Sequence, residues 1–123
     1  MSNLSIQPPV YVNQFSSLNN SQGLTPKEQA CEYLYELVEL LDQLAADIKK
    51  GDKKDIPGLI SKIKGLTSKL RAIADKVPEF KAAILTAASY TEDVVWNPNL
   101  NEDQIEKAAG MDTMLEQIMI HSS

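Results

Sequence analysis

Residues 25–50, TPKEQACEYLYELVELLDQLAADIKK, form a long amphipathic pattern with both ends marked, and the rest of the chain must supply it with partners. Thr25 suits the N-cap, because its hydroxyl can accept from a free backbone N–H of the first turn. Pro26 follows at the first helical position, where its missing N–H costs nothing. Glu28 completes a capping box. Lys49 and Lys50 complement the negative end of the helix dipole, and Gly51 can take the left-handed conformation that stops a helix. Ala30, Leu34, Leu37, Leu41, Leu44 and Ile48 recur at steps of four and three, so they share one stripe. Such a helix is about 39 Å long at 1.5 Å per residue. A stripe that apolar requires burial against other elements.

The next segment answers that need. GDKKD at 51–55 reads as a turn, with Asp55 placed to cap and Pro57 in the first turn beyond it. Ile56, Leu59, Ile63, Leu66, Leu70, Ile73 and Val77 then alternate steps of three and four without a miss. The short connection makes the two helices antiparallel neighbours. Their charges are complementary. Residues 25–48 hold six acids and one base, whereas residues 49–71 hold eight bases and two acids. The expectation is that the acidic helix pairs with the basic one.

Pro78 interrupts the pattern and disfavours helix at Val77. The heptad steps nevertheless continue through Phe80, Ile84, Ala87, Thr91 and Val94. Two pictures fit: a separate third helix over 78–95, or one helix over 56–95 kinked at Pro78. A break or distinct kink is the favoured one. Trp96-Asn97-Pro98-Asn99 reads as a loop. Asn101 then caps a last helix from about Glu102 to Ile120, with Gln104 three residues on, and Leu100 and Ile105 forming a hydrophobic staple. Its core face is read as Ile105, Ala108, Met111, Leu115 and Ile118, with Met114 and Met119 beside it.

Residues 1–24 differ from everything after them. They carry no charged side chain, and Pro8-Pro9 and Gly23 oppose a helix. They read as a flexible tail. Val10, Tyr11 and Phe15 are its candidate contacts, able to add to a partner as a strand or lie in a groove. The Ser- and Asn-rich, charge-free start before a helical body resembles the export signal of bacterial type III secretion substrates. That resemblance covers about twenty residues and is compositional. It implies a component of an export system or a secreted effector, cytoplasmic before export.

Composition narrows the function classes. A chain of 123 residues holds one core. The net charge of −5 disfavours nucleic acid as the main partner. No apolar run reaches the roughly 20 residues of a membrane span. No Lys or Arg precedes position 27, so a secretory signal peptide of the usual kind is not expected. The single cysteine, Cys31, excludes an intrachain disulfide and cysteine-rich zinc sites. Its closeness to the core stripe reads as a small apolar residue. The single histidine, His121, is the third residue from the C-terminus, where it suits a helix dipole. Neither Glu92-Asp93 nor Glu102-Asp103-Glu106 has calcium-loop spacing. No phosphate-cradling glycine pattern occurs. Catalysis, a metal and a cofactor are therefore not expected.

Two features suit binding. One is the basic group over 49–71, with Lys53, Lys54, Lys62 and Lys69 as candidates for an acidic partner or anionic surface. The other is the Met-rich end, with Met111, Met114, Ile118 and Met119 as candidates. The expected fold is all-α: an antiparallel helical hairpin extended to a three- or four-helix bundle over 25–123, behind a flexible tail. The expected function is non-catalytic protein binding, as an adaptor, chaperone-like regulator or assembly subunit. A rival is self-assembly into a homo-oligomer through the 56–94 stripe.

Overall fold

The computed structural model describes residues 24–122. The assigned tail, with Val10, Tyr11 and Phe15, lies outside them save for Leu24, which is half-buried. Four α-helices make up the described chain: α1 Pro26–Lys50, α2 Ile56–Ala74, α3 Lys81–Val95 and α4 Glu102–Ile120. Each packs on the next, and α4 returns to pack on α1, closing an all-α four-helix bundle.

The marked ends of α1 form as their chemistry requires. Thr25 Oγ1 accepts from the Glu28 amide at 3.1 Å, and Glu28 Oε1 accepts from the Thr25 amide at 2.9 Å. At the other end Gly51 sits at φ 75°, which only glycine adopts without strain. Its amide donates to Ile48 O, and the Asp52 amide donates to Asp47 O, so two otherwise orphaned carbonyls are satisfied. Asp55 stands at the start of α2 in helical conformation, and its side chain makes no capping bond.

The stripes meet in one core. Leu34, Leu37, Leu41, Leu44, Ile63, Leu70 and Ile84 are fully buried. Each contributes roughly 1.5–3 kcal/mol relative to an exposed position. Of the two pictures for 56–95, the single kinked helix does not form; the chain breaks and α3 is a separate helix. α2 ends at Ala74, Val77 is non-helical ahead of Pro78 (φ −128°, ψ 69°), and a single 3-10 turn over Pro78–Phe80 follows. The chain then reverses. Arg71 meets Glu92, and Asp75 meets Lys81, so α2 and α3 run antiparallel. The heptad steps persist through Pro78 because both helices present their stripes to the same core.

The face of α4 is corrected by the structure. Its buried residues are Ile105, Ala108, Ala109, Asp112, Leu115 and Met119. The seam therefore runs 105, 108, 112, 115, 119 in steps of three and four. Met111 and Ile118, read as core, are exposed. Asp112 occupies a seam position, and its polarity hides the register.

Candidate functional site

The most distinctive surface belongs to α4, and four contacts fix that helix. Asn101 Oδ1 accepts from the Asp103 amide at 2.8 Å and the Gln104 amide at 3.3 Å. Half-buried Leu100 packs against the core just before them. Lys49 Nζ pairs with Glu102 at 3.1 Å, joining the end of α1 to the start of α4. Lys27 Nζ donates to Ser122 Oγ at 2.9 Å at the opposite end.

So held, α4 is apolar on more sides than the bundle uses. Met111, Met114 and Ile118 recur at steps of three and four along its outer side, 37%, 64% and 51% exposed. Ile120 is exposed toward α1. Met119, a candidate for binding, is instead fully buried. It falls on the seam with Leu115 and Asp112, so it fills the core, as methionine commonly does.

Ile120 joins a second apolar feature that the residue pattern did not single out. A trough of about 580 Å³ between α1 and α4 is lined by Cys31, Glu32, Tyr35, Glu36, Glu39, Glu116 and Ile120. Tyr35 is 55% exposed. A bond to the Glu39 carboxylate holds its phenol above the ordinary value. Burial raises the Cys31 thiol, and the Glu116 carboxylate beside it adds to the shift. Cys31 is thus held as a neutral thiol, poorly suited to nucleophilic attack. Burial also raises Glu116. The signal for this site was present in α1: Tyr35 is an aromatic residue lying off the leucine stripe, among glutamates.

The lysines do not form one patch. Lys62 and Lys69 line a groove of about 470 Å³ against α1, opposite Glu36 and Glu39. Lys69 also sits over the Tyr33 ring at 5.7 Å. Lys64 turns toward α3 and lies 5.2 Å from the Trp96 ring centre. Lys53 and Lys54 are exposed in the α1–α2 turn. The expected direct pairing of α1 acids with α2 bases is not observed among the described residues. Their ion pairs join Lys49 to Glu102, Arg71 to Glu92 and Lys81 to Asp75. Leu40, Gly65 and Leu66 line the same α1–α2 groove as the facing charges.

Two polar clusters, one partly exposed and one buried, tie α3 to its neighbours. Arg71 Nε donates to Glu92 Oε2 at 3.1 Å, and its Nη2 donates to Ser89 Oγ at 2.9 Å. The guanidinium holds the buried Glu92 carboxyl below its usual value. Thr91 Oγ1 donates to Asp112 Oδ2 at 2.9 Å, while Asp112 Oδ1 has no partner. Complete burial pushes the Asp112 carboxyl up to about 7.

Among the described residues, no group of three or more His, Cys, Asp or Glu side chains is placed to hold a metal ion. None of the helices is long and apolar enough to cross a membrane. No protein-family model, curated protein or solved structure matches this chain.

Proposed function

We propose that this chain is a non-catalytic, protein-binding helical module: an adaptor, a chaperone-like regulator or an assembly subunit. The observation that carries this reading is the double-sided apolarity of α4. A bundle whose core is already filled leaves Met111, Met114 and Ile118 in water, in register along one helix. An in-register apolar row is the anchor pattern by which helices dock on partner proteins. Its methionines suit an adaptable surface.

The competing readings have less support. The 56–94 stripe is largely consumed inside the bundle, from Leu59 through Val94, so pairing between chains through it lacks a free face. The lysines divide among three directions, which weakens a single anionic-surface contact. The export-substrate version rests on the composition of residues 1–24. Fusing them to a reporter and assaying its secretion tests it.

The test of the main reading is site-specific photo-cross-linking in native cell extract, with the reactive side chain at Met114 or, as a control, at Lys64. A discrete heterologous adduct at Met114 and none at Lys64 is expected. Adducts only to a second copy of this chain, with mass that grows with concentration in light scattering, would replace binding by self-assembly.

A further inference from the structure

We infer that the trough between α1 and α4 binds a basic amphipathic helix of a partner protein, with Tyr35 and Ile120 as its apolar anchors. This rests on the protein-binding reading above and names the chemistry of one partner. The shape comes first. The trough around Tyr35 shares Cys31, Glu32 and Ile120 with a second concavity of about 550 Å³ that reaches Leu24 and Met119. Together they follow α1 from its first residues to Glu39, about 21 Å at 1.5 Å per residue. That is four turns of a docked helix.

The charge decides which helix. The rim consists of Glu32, Glu36, Glu39 and Glu116. None of them takes part in the ion pairs formed among the described residues. Lys27, the cation that borders the trough, lies at its far end and donates to Ser122. The groove on the other side of α1 carries Lys62 and Lys69 opposite Glu36 and Glu39, so its field largely cancels. The α1–α4 trough shares Glu36 and Glu39 with that groove, but no lysine lines it around Tyr35, and Glu32 and Glu116 add two carboxylates that face no cation there. A carboxylate rim around exposed apolar anchors attracts lysine or arginine flanking a leucine-like row, and it repels nucleic acid and anionic lipid. Such complementarity mainly sets the association rate and the choice of partner. Burial of Tyr35 and Ile120 supplies the affinity.

The probe is a synthetic helical peptide of about 15 residues with leucines on one face and lysines on the other. Its counterpart carries glutamates in place of the lysines. Binding to the full chain is read by fluorescence anisotropy, and its location by amide NMR shifts. The lysine peptide should bind, weaken as salt rises, and shift the amides of Cys31, Tyr35 and Ile120. The glutamate peptide should not bind. Tyr35→Ala should weaken binding several-fold, and Glu32→Lys with Glu36→Lys tenfold or more. Glu79→Lys, an exposed change on another part of the surface, should leave it unaltered. Helicity of each variant is checked by circular dichroism, and all four positions are exposed, so folding should persist. The inference is overturned by equal binding of both peptides, by no binding, by shifts confined to the Met111–Met114–Ile118 side, or by variants that bind like the parent. Any of these alongside a persisting Met114 adduct would remove this inference and leave the protein-binding reading standing.

Discussion

Asp112 is the residue at which this bundle departs most from an apolar core. It is fully buried, with one oxygen on Thr91 and the other unpartnered. A carboxylate there is shielded from solvent and faces no cation, and it takes up a proton more readily than in the unfolded chain. The sign follows. Its folded value of about 7 lies above the ordinary 3.8, so the folded state binds more protons between those pH values. Its contribution therefore falls as pH rises from about 4 to about 7, and then levels. Glu92 has the opposite slope, because Arg71 holds it low. Its stabilisation is present above the ordinary carboxylate range and fades as pH falls through its depressed value. Asp112→Asn isolates the first effect. In urea unfolding, the variant should match the parent near pH 4 and exceed it by up to about 4 kcal/mol near pH 8. A difference independent of pH would show that Asp112 is not titrating in the fold. This residue also explains the misread face of α4. Counting apolar positions passes over a polar residue in a seam and selects the adjacent Met111 instead.

At the scale of elements, the two ends of α1 were the most legible part of the chain, whereas Asp55 makes no capping bond at the start of α2. Capping boxes, a first-turn proline and a terminal glycine are local chemistry, and α1 forms between the residues that mark it. Pro78 was half legible. A proline disfavours helix at Val77, but the angle that follows depends on which surfaces then meet, and heptad steps carry no record of a reversal. Exposed apolar side chains were unevenly legible: Met114 and Ile118 stand out in the residue order, whereas Tyr35 becomes distinctive only once the core is seen to close without it. Glycine separates local from tertiary effects in a testable way. Gly65 lies inside α2, and a Cβ there would meet nothing within 4 Å. Gly65→Ala should stabilise the fold by about 0.5–1 kcal/mol, raising the melting temperature by several degrees. Gly51→Ala has equal room but sits at φ 75°, so it should lower the melting temperature. Opposite shifts of the two variants in one calorimetric series check the assignment. The same sign for both would contradict the left-handed stop at the end of α1.

For the whole molecule, the ring α1–α2–α3–α4–α1 determines what lies side by side. It brings acidic α1 against both a basic neighbour and Glu116, so one molecule has a groove of mixed sign and a trough of one sign. No single helix shows this, which is why the candidate site was only partly visible in the residue order. The lysine count allows either an offset to α1 or a patch, whereas the ring distributes those side chains among three directions. The closure of α4 onto α1 also brings Lys27 within hydrogen-bonding reach of Ser122. A covalent bridge of a few glycines could therefore join the start of the bundle to its end. The chain could then be reopened in the exposed 51–55 turn, giving a circular permutant with the same four helices. Such a rearranged chain should unfold in one cooperative step, as followed by circular dichroism, because the order of synthesis matters less to this ring than its cyclic order.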